Sequence, residues 1–122
     1  MNKAQAIHKF WSSFELEAYD ESTVYAGDIS PRFPYITYNV VIDNIGNNVG
    51  LYGSLWYRST SWSDITAKTE EIERALGVII PIDGGYLWIK RGSPFAQRMS
   101  DPNDDMVRRM YINITAEFLT AY

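Results

Sequence analysis

The chain has no cysteine among its 122 residues, and this absence excludes several classes of site. Without a thiol there is no disulfide scaffold, no thiolate zinc site, no iron–sulfur cluster and no cysteine nucleophile. Histidine is almost as scarce, since His8 is the only one, and the sequence offers it no partners for a triad or a metal site. We therefore expect no catalytic residues, no metal and no cofactor, and we expect that the protein is not an enzyme.

The chain also has fewer basic than acidic residues and no long apolar run. Lys and Arg number 11 against 15 Asp and Glu, so the net charge is −4. An acidic chain is a poor general binder of nucleic acid, because that affinity comes from neutralising phosphates. No apolar run reaches the roughly 18 residues of a membrane span, and no secretory signal is visible. We therefore expect no membrane partner.

Aromatic residues, by contrast, are abundant and make up 15% of the chain. Tyr and Trp bury large areas, and both are enriched at the centres of protein interfaces. Two interpretations stay open at this point. The rings fill a well-packed core, or the chain is a subunit that buries its surplus of rings against partners.

Two amphipathic helices are predicted from apolar residues that recur at intervals of three and four. The first covers Lys3–Ala18 and the second opens at Ser61-Trp62-Ser63-Asp64, whose serines suit a helix N-cap, and ends near Gly77. The first apolar stripe consists of Ala4, Ile7, Trp11, Phe14 and Ala18. The second consists of Ile65, Thr69, Ile72 and Leu76.

Alternating apolar and polar residues predict the strands, and polar segments with glycine or proline predict the loops. The strands are Tyr35–Asn44, Leu51–Thr60, Val78–Ile82, Tyr86–Lys90 and Val107–Thr120. The first two should form an antiparallel hairpin, and Asp83-Gly84-Gly85 should form a tight turn. Two long loops are expected, at Tyr19–Pro34 and Arg91–Met106.

This order of elements predicts a single α+β domain over residues 1–122. We expect a two-layer sandwich, with a mainly antiparallel sheet and two helices packed on one face.

The two middle strands are apolar on both sides. Tyr52 and Trp56 lie on the face opposite Leu51 and Leu55, and Tyr86 and Trp88 lie opposite Leu87 and Ile89. Two helices cover only one side of such a sheet, so a loop or a neighbouring subunit should cover the other.

The order of these segments resembles the tail terminator proteins of long-tailed phages, also called tail completion or tail-to-head joining proteins. The likeness covers most of the chain. It includes Pro34-Tyr35-Ile36-Thr37-Tyr38, a hairpin that ends at Trp56-Tyr57-Arg58, the segment Gly85–Gln97 and the Arg-rich final strand from Val107.

The resemblance implies a structural protein of the virion. Members of the family form a ring, commonly a hexamer, which caps the finished tail tube, stops its polymerisation and joins the tail to the head. The implied partners are further copies of the chain, the tail tube protein and a head-completion or neck protein, while DNA passes through the ring without specific binding. The implied location is the head–tail junction of the virion, with the host cytoplasm during assembly.

Other functions remain open on the sequence. A head-closure or neck protein or a tail-tube-like virion subunit has a similar build, and a non-viral binding module could use the aromatic sheet face. In each case we expect the contact surface to include the aromatic residues of the middle strands together with Arg91 and Phe95, which follow the second of these strands. The candidate interface residues are Tyr52, Trp56, Tyr86, Trp88, Arg91 and Phe95.

Overall fold

The computed structural model describes residues 1–122 and combines three helices with six strands. The helices are α1 (Lys3–Ser12), α2 (Glu21–Tyr25) and α3 (Ser63–Arg74). The strands are β1 (Glu17–Asp20), β2 (Tyr35–Tyr38), β3 (Asn48–Arg58), β4 (Ile79–Ile82), β5 (Gly85–Ser100) and β6 (Val107–Thr120). None of the helices is long and apolar enough to cross a membrane.

All six strands belong to one sheet, in the order β1-β2-β3-β6-β5-β4. Only β1 and β2 pair in parallel, so the prediction of a mainly antiparallel sheet is confirmed. The sheet curls into a half-barrel, and α1 contacts both edge strands, β1 and β4. A flat two-layer sandwich is therefore not confirmed, because the sheet wraps around a helix instead of lying beneath it.

The core lies between α1, α3 and the concave side of the sheet, which we call the inner face. Alternate residues of β6 point into it, and 22 buried side chains from helices and strands form one cluster. The helix residues in that cluster are Ala6, Ile7, Phe10, Trp11, Ile65 and Ile72. The burial of these stripes is what fixes the helices against the sheet, because apolar area removed from water is the main favourable term.

The first helix is shorter than its apolar periodicity predicts. Asn2 and Gln5 form a reciprocal capping box at its start, and it ends at Ser12. Glu15 then adopts a positive φ of 64°, and Glu17–Asp20 pairs with β2 as a strand. The prediction of a helix to Ala18 is therefore wrong, although Ala18 is buried as expected.

The second predicted helix is α3, which begins within the predicted serine segment. Its N-cap is Trp62, which makes no side-chain cap, and the Ser61 hydroxyl accepts a hydrogen bond from the Ser63 amide instead. The predicted stripe is confirmed at Ile65, Thr69 and Ile72, whereas Leu76 lies beyond the helix and is only half-buried.

Three predicted boundaries are wrong in the strands and loops. The strand from Tyr35 ends at Tyr38 rather than Asn44, because the Asn39 side chain accepts a hydrogen bond from the Tyr52 amide and the chain then leaves the sheet. The loop predicted over Tyr19–Pro34 contains part of β1 and all of α2. Most of the loop predicted over Arg91–Met106 is strand, since β5 continues to Ser100 after a shift in register.

The close contact between Trp11 and Gly53 gives a stability test. A Cβ on Gly53 would lie 2.7 Å from the Trp11 ring, which is fully buried, whereas a Cβ on Gly50 of the same strand would meet nothing within 4 Å. We expect Gly53→Ala to lower the free energy of unfolding by about 1–3 kcal/mol, because the core would be overpacked. Gly50→Ala is the matched control and should change it little. Urea unfolding of both variants checks this, and equal stabilities would contradict the packing described here.

Candidate interaction surface on the outer face of the sheet

The strand register places Trp56 and Trp88 on the same face. Trp56 pairs with Arg109 and Trp88 pairs with Glu117, and both partners stand on the side of β6 that points away from the core. We call this convex side the outer face. Tyr52 lies four residues from Trp56 and Tyr86 lies two residues from Trp88, so both share this face by the two-residue period of a strand. The expectation that the middle strands are apolar on both sides is therefore confirmed.

Trp56 lies in an aromatic cluster in which both its ring and its indole N–H have partners within the chain. Its ring stacks on Tyr35 with 6.0 Å between the ring centroids, and the Arg109 guanidinium lies 4.7 Å from its ring centre. Its indole N–H donates to the Thr37 hydroxyl at 2.9 Å, and Arg109 Nε donates to the Ser54 hydroxyl at 3.1 Å. These contacts hold the ring flat against the sheet and leave it half-buried.

Tyr52 is tied to the short helix α2. Its hydroxyl donates to Glu21 Oε1 at 2.6 Å, and its ring stacks on Tyr111 with 5.5 Å between the ring centroids. Because α2 also contacts β1 and β2, this end of the outer face has cover from the chain itself.

The other end of the outer face is open. Ile79 is 52% exposed, Tyr86 51% and Trp88 37%. Ile79 pairs with Trp88 and Pro81 pairs with Tyr86, so these side chains stand together on two adjacent strands. We call Ile79, Pro81, Tyr86 and Trp88 the exposed apolar patch.

Polar groups border this patch. Lys90 Nζ lies 4.4 Å from the centre of the Trp88 ring and 3.4 Å from the Glu117 carboxylate. An apolar centre with charges at its rim is the usual build of a protein interface.

Two of the residues predicted at the interface lie elsewhere. Phe95 is 6% exposed and belongs to the core, so its ring is not at the surface of the chain. Arg91 is exposed, but its guanidinium lies 3.6 Å from Glu73 of α3, on the helix side of the sheet. Both were expected in a loop, but β5 continues through them. Arg91 follows Leu87 and Ile89 on the core side of β5, where it pairs with Ile114 of β6.

Sequence reasoning missed Ile79 and Pro81. They belong to Ile79-Ile80-Pro81-Ile82, a continuous apolar run that is typical of a buried strand. The proline was the available signal, because within sheets proline is confined to edge strands.

The largest cavity, of about 610 Å³, lies beside the C-terminal end of α1. There the Ser12 hydroxyl lies 3.1 Å from His8 Nε2, and His8 Nδ1 lies 2.7 Å from the Tyr38 hydroxyl. Ser12 is the last residue of α1, where the helix dipole carries partial negative charge, so an oxyanion forming there would be destabilised. The geometry favours a hydrogen-bonded link between α1 and β2 over acyl transfer, and the chain has no cluster of three or more potential metal ligands.

Several tyrosines and one aspartate have shifted pKa values. The hydrogen bond to Glu21, with smaller effects of burial and nearby charge, raises the pKa of Tyr52 to about 12. Burial raises the pKa of Tyr35, Tyr38 and Tyr57. The Met106 amide and the Arg58 guanidinium lower the pKa of Asp104.

The Tyr52–Glu21 bond makes stability depend on alkaline pH. The folded pKa is about 12 and the unfolded pKa is about 10, so the folded state holds the proton more tightly. The stabilisation is complete below pH 10 and is lost as the pH rises through 12. We expect Tyr52→Phe to flatten the fall in unfolding free energy over this range, whereas Tyr86→Phe should not, because Tyr86 is an exposed tyrosine on the outer face. Unfolding curves measured from pH 9 to pH 12 check this, and identical pH profiles for the two variants would contradict it.

Comparison with protein-family models, with curated proteins and with solved structures finds no match to this chain. The resemblance to tail terminators therefore rests on the sequence features given above, and a function for the chain has to be argued from the geometry of the outer face.

Proposed function

We propose that this chain is a tail terminator, the subunit of a homo-oligomeric ring that caps a phage tail tube, stops its polymerisation and joins the tail to the head. The observation that supports this best is the exposed apolar patch. Ile79, Tyr86 and Trp88 stand together on the outer face with no helix over them. Contiguous exposed apolar surface of this kind marks a protein interaction site.

The position of the patch suits a ring. The patch occupies the β4–β5 end of the sheet, while the β1–β2 end carries α2 and a different set of side chains. A contact between unlike surfaces is heterologous, and it generates a closed ring when the rotation between subunits closes. The resemblance to tail terminators implies six copies in this ring.

The finer architecture belongs to the same proposal. In it α1 and α3 form one layer on the inner face, the sheet forms the second layer, and the outer face is left free for neighbouring subunits. Burial of Ile65 and Ile72 with Ile112 and Ile114 in one cluster supports this arrangement.

The proposed partners are the tail tube protein on one side of the ring and a head-completion or neck protein on the other. DNA crosses the ring without specific binding, and the net charge of −4 supports weak affinity for phosphate. The proposed location is the head–tail junction of the virion, with the host cytoplasm during assembly. A gene position between head-completion and tail-tube genes would support this role over that of a head-closure or tail-tube-like subunit.

A binding module that uses the outer face is the second candidate. A small cavity of about 140 Å³ lies between Trp56, Asp101 and Arg109, where an aromatic ring and two charged groups converge. The cavity is smaller than the roughly 300–1,000 Å³ of most ligand pockets, so it would hold only a very small ligand. Such a module would work as a monomer, so the assembly state separates the two functions.

We expect Trp88→Asp to leave the chain folded and to abolish the ring. Trp88 is 37% exposed in the single chain, so its loss should cost the fold little, whereas an aspartate would place a charge in the apolar centre of the subunit contact. Ala67→Asp, on the exposed side of α3, is the matched control because it adds the same charge elsewhere. Light scattering coupled to size exclusion measures the mass of each variant.

Rings of wild-type mass from a folded Trp88→Asp protein would contradict the proposed contact. Loss of the ring in the Ala67→Asp control as well would show that added charge alone disrupts assembly, and would remove the support for the patch. Circular dichroism checks that both variants are folded.

A further inference from the structure

Beside β4 runs a groove of about 300 Å³ that is apolar and flanked by basic charge. Phe10, Val78 and Ile80 are among its lining residues, and Lys9 and Ala75 stand at its border. β4 is an edge strand, so one side of its backbone has no neighbour in the sheet. We call this side of the molecule the β4 edge.

The basic charges at the β4 edge are not neutralised within the chain. Lys9 is exposed on α1, and Arg74 is exposed immediately before Ala75. Neither takes part in any of the ion pairs of the structure, which use the N-terminal ammonium group, Arg58, Lys68, Lys90 and Arg91. The β4 edge therefore presents free positive charge beside apolar surface.

The opposite edge of the sheet is acidic. Between residues 10 and 31 the chain has no Lys or Arg, while the acidic residues there are Glu15, Glu17, Asp20, Glu21 and Asp28. Glu15 and Glu17 are exposed, form no ion pair, and line the cavity of about 610 Å³ together with Leu16 and Pro34. We call this side the β1 edge.

We infer that, in the ring proposed above, the β4 edge of one copy docks on the β1 edge of the next copy, so that Lys9 and Arg74 face Glu15 and Glu17. This inference rests on the proposed ring. Each copy carries both halves of the contact, because β1 and β4 are the two ends of one sheet. Complementary charge steers association and fixes the register of a contact, while the apolar groove supplies buried area.

The charge pattern favours a second copy in head-to-tail orientation over a two-fold contact and over a nucleic acid. A two-fold contact of β4 edge with β4 edge would place the free Lys9 and Arg74 of both copies together, and like charges at an interface are unfavourable. A nucleic acid would use only the basic β4 edge and would leave the acidic Glu15 and Glu17 of the β1 edge without a partner. A second copy in head-to-tail orientation uses both edges at once.

Reciprocal charge reversal tests this contact in the full-length chain. One variant carries Glu15→Lys and Glu17→Lys, a second carries Lys9→Glu and Arg74→Glu, and a third carries all four changes. The matched control for the first variant carries Asp64→Lys and Asp105→Lys, which are exposed positions at the start of α3 and in the loop before β6. The ring dissociation constant of each is measured by dilution in mass photometry, at low and at high salt.

We expect each two-site reversal to weaken the ring about tenfold or more, since about 1.4 kcal/mol corresponds to a factor of ten. The four-site variant should regain affinity, because the charges at every contact are then exchanged but still opposite. An equimolar mixture of the two reversed proteins should also form rings, with the two proteins alternating. The wild-type ring should weaken at high salt, where the Debye length is shorter than the reach of these charges.

Rings of unchanged affinity in both reversed variants would overturn the inference and leave the proposed ring intact. The inference would also be wrong if the four-site variant and the mixture stayed as weak as the two-site reversals while the control bound normally. A wild-type chain that stays monomeric under all conditions would instead contradict the proposed function itself.

Discussion

The packing of α1 inside the curled sheet is the constraint on which the rest of the structure depends. Trp11 lies fully buried against the backbone of Gly53, where no side chain would fit. This close approach lets one short helix contact both edge strands, and the sheet wraps around it. The inner face is thereby filled by α1 and α3, and the aromatic residues on the other side of β5 have no helix to cover them. The exposure of this part of the outer face therefore follows from the packing of both long helices on the inner face.

The sequence predicted those elements whose periodicity is supported by burial on one side. β6 has its predicted bounds, Val107–Thr120, because its alternation matches one buried and one half-exposed face. The stripe of α3 was equally clear. The end of α1, the strand β1 and the long extension of β5 were not predictable, because each depends on pairing with a distant strand. Apolar residues at helical spacing continue through Phe14 to Ala18, where the backbone has already left the helix.

The candidate surface, too, was predictable only in the part that depends on local alternation. Sequence alternation predicted that Tyr52, Trp56, Tyr86 and Trp88 oppose the core, but it could not give the register between strands. The register brings the two tryptophans to one face, but the two rings make different contacts there. Trp56 is held by Thr37, Tyr35 and Arg109, whereas Trp88 stays open beside Ile79. Phe95 was misplaced because the segment from Arg91 was expected to be a loop, whereas β5 continues through it and buries the ring in the core.

In the proposed ring, the uncovered patch at one end of the sheet and the unpaired charges at its two edges belong to the two unlike surfaces that meet between copies. The most direct test of this account is the native mass of the wild-type protein across a range of concentrations. The account predicts a single closed species whose mass is about six times 14.0 kDa, with a ring visible by electron microscopy. A species of 14.0 kDa at every concentration, with no ring in the images, would contradict it.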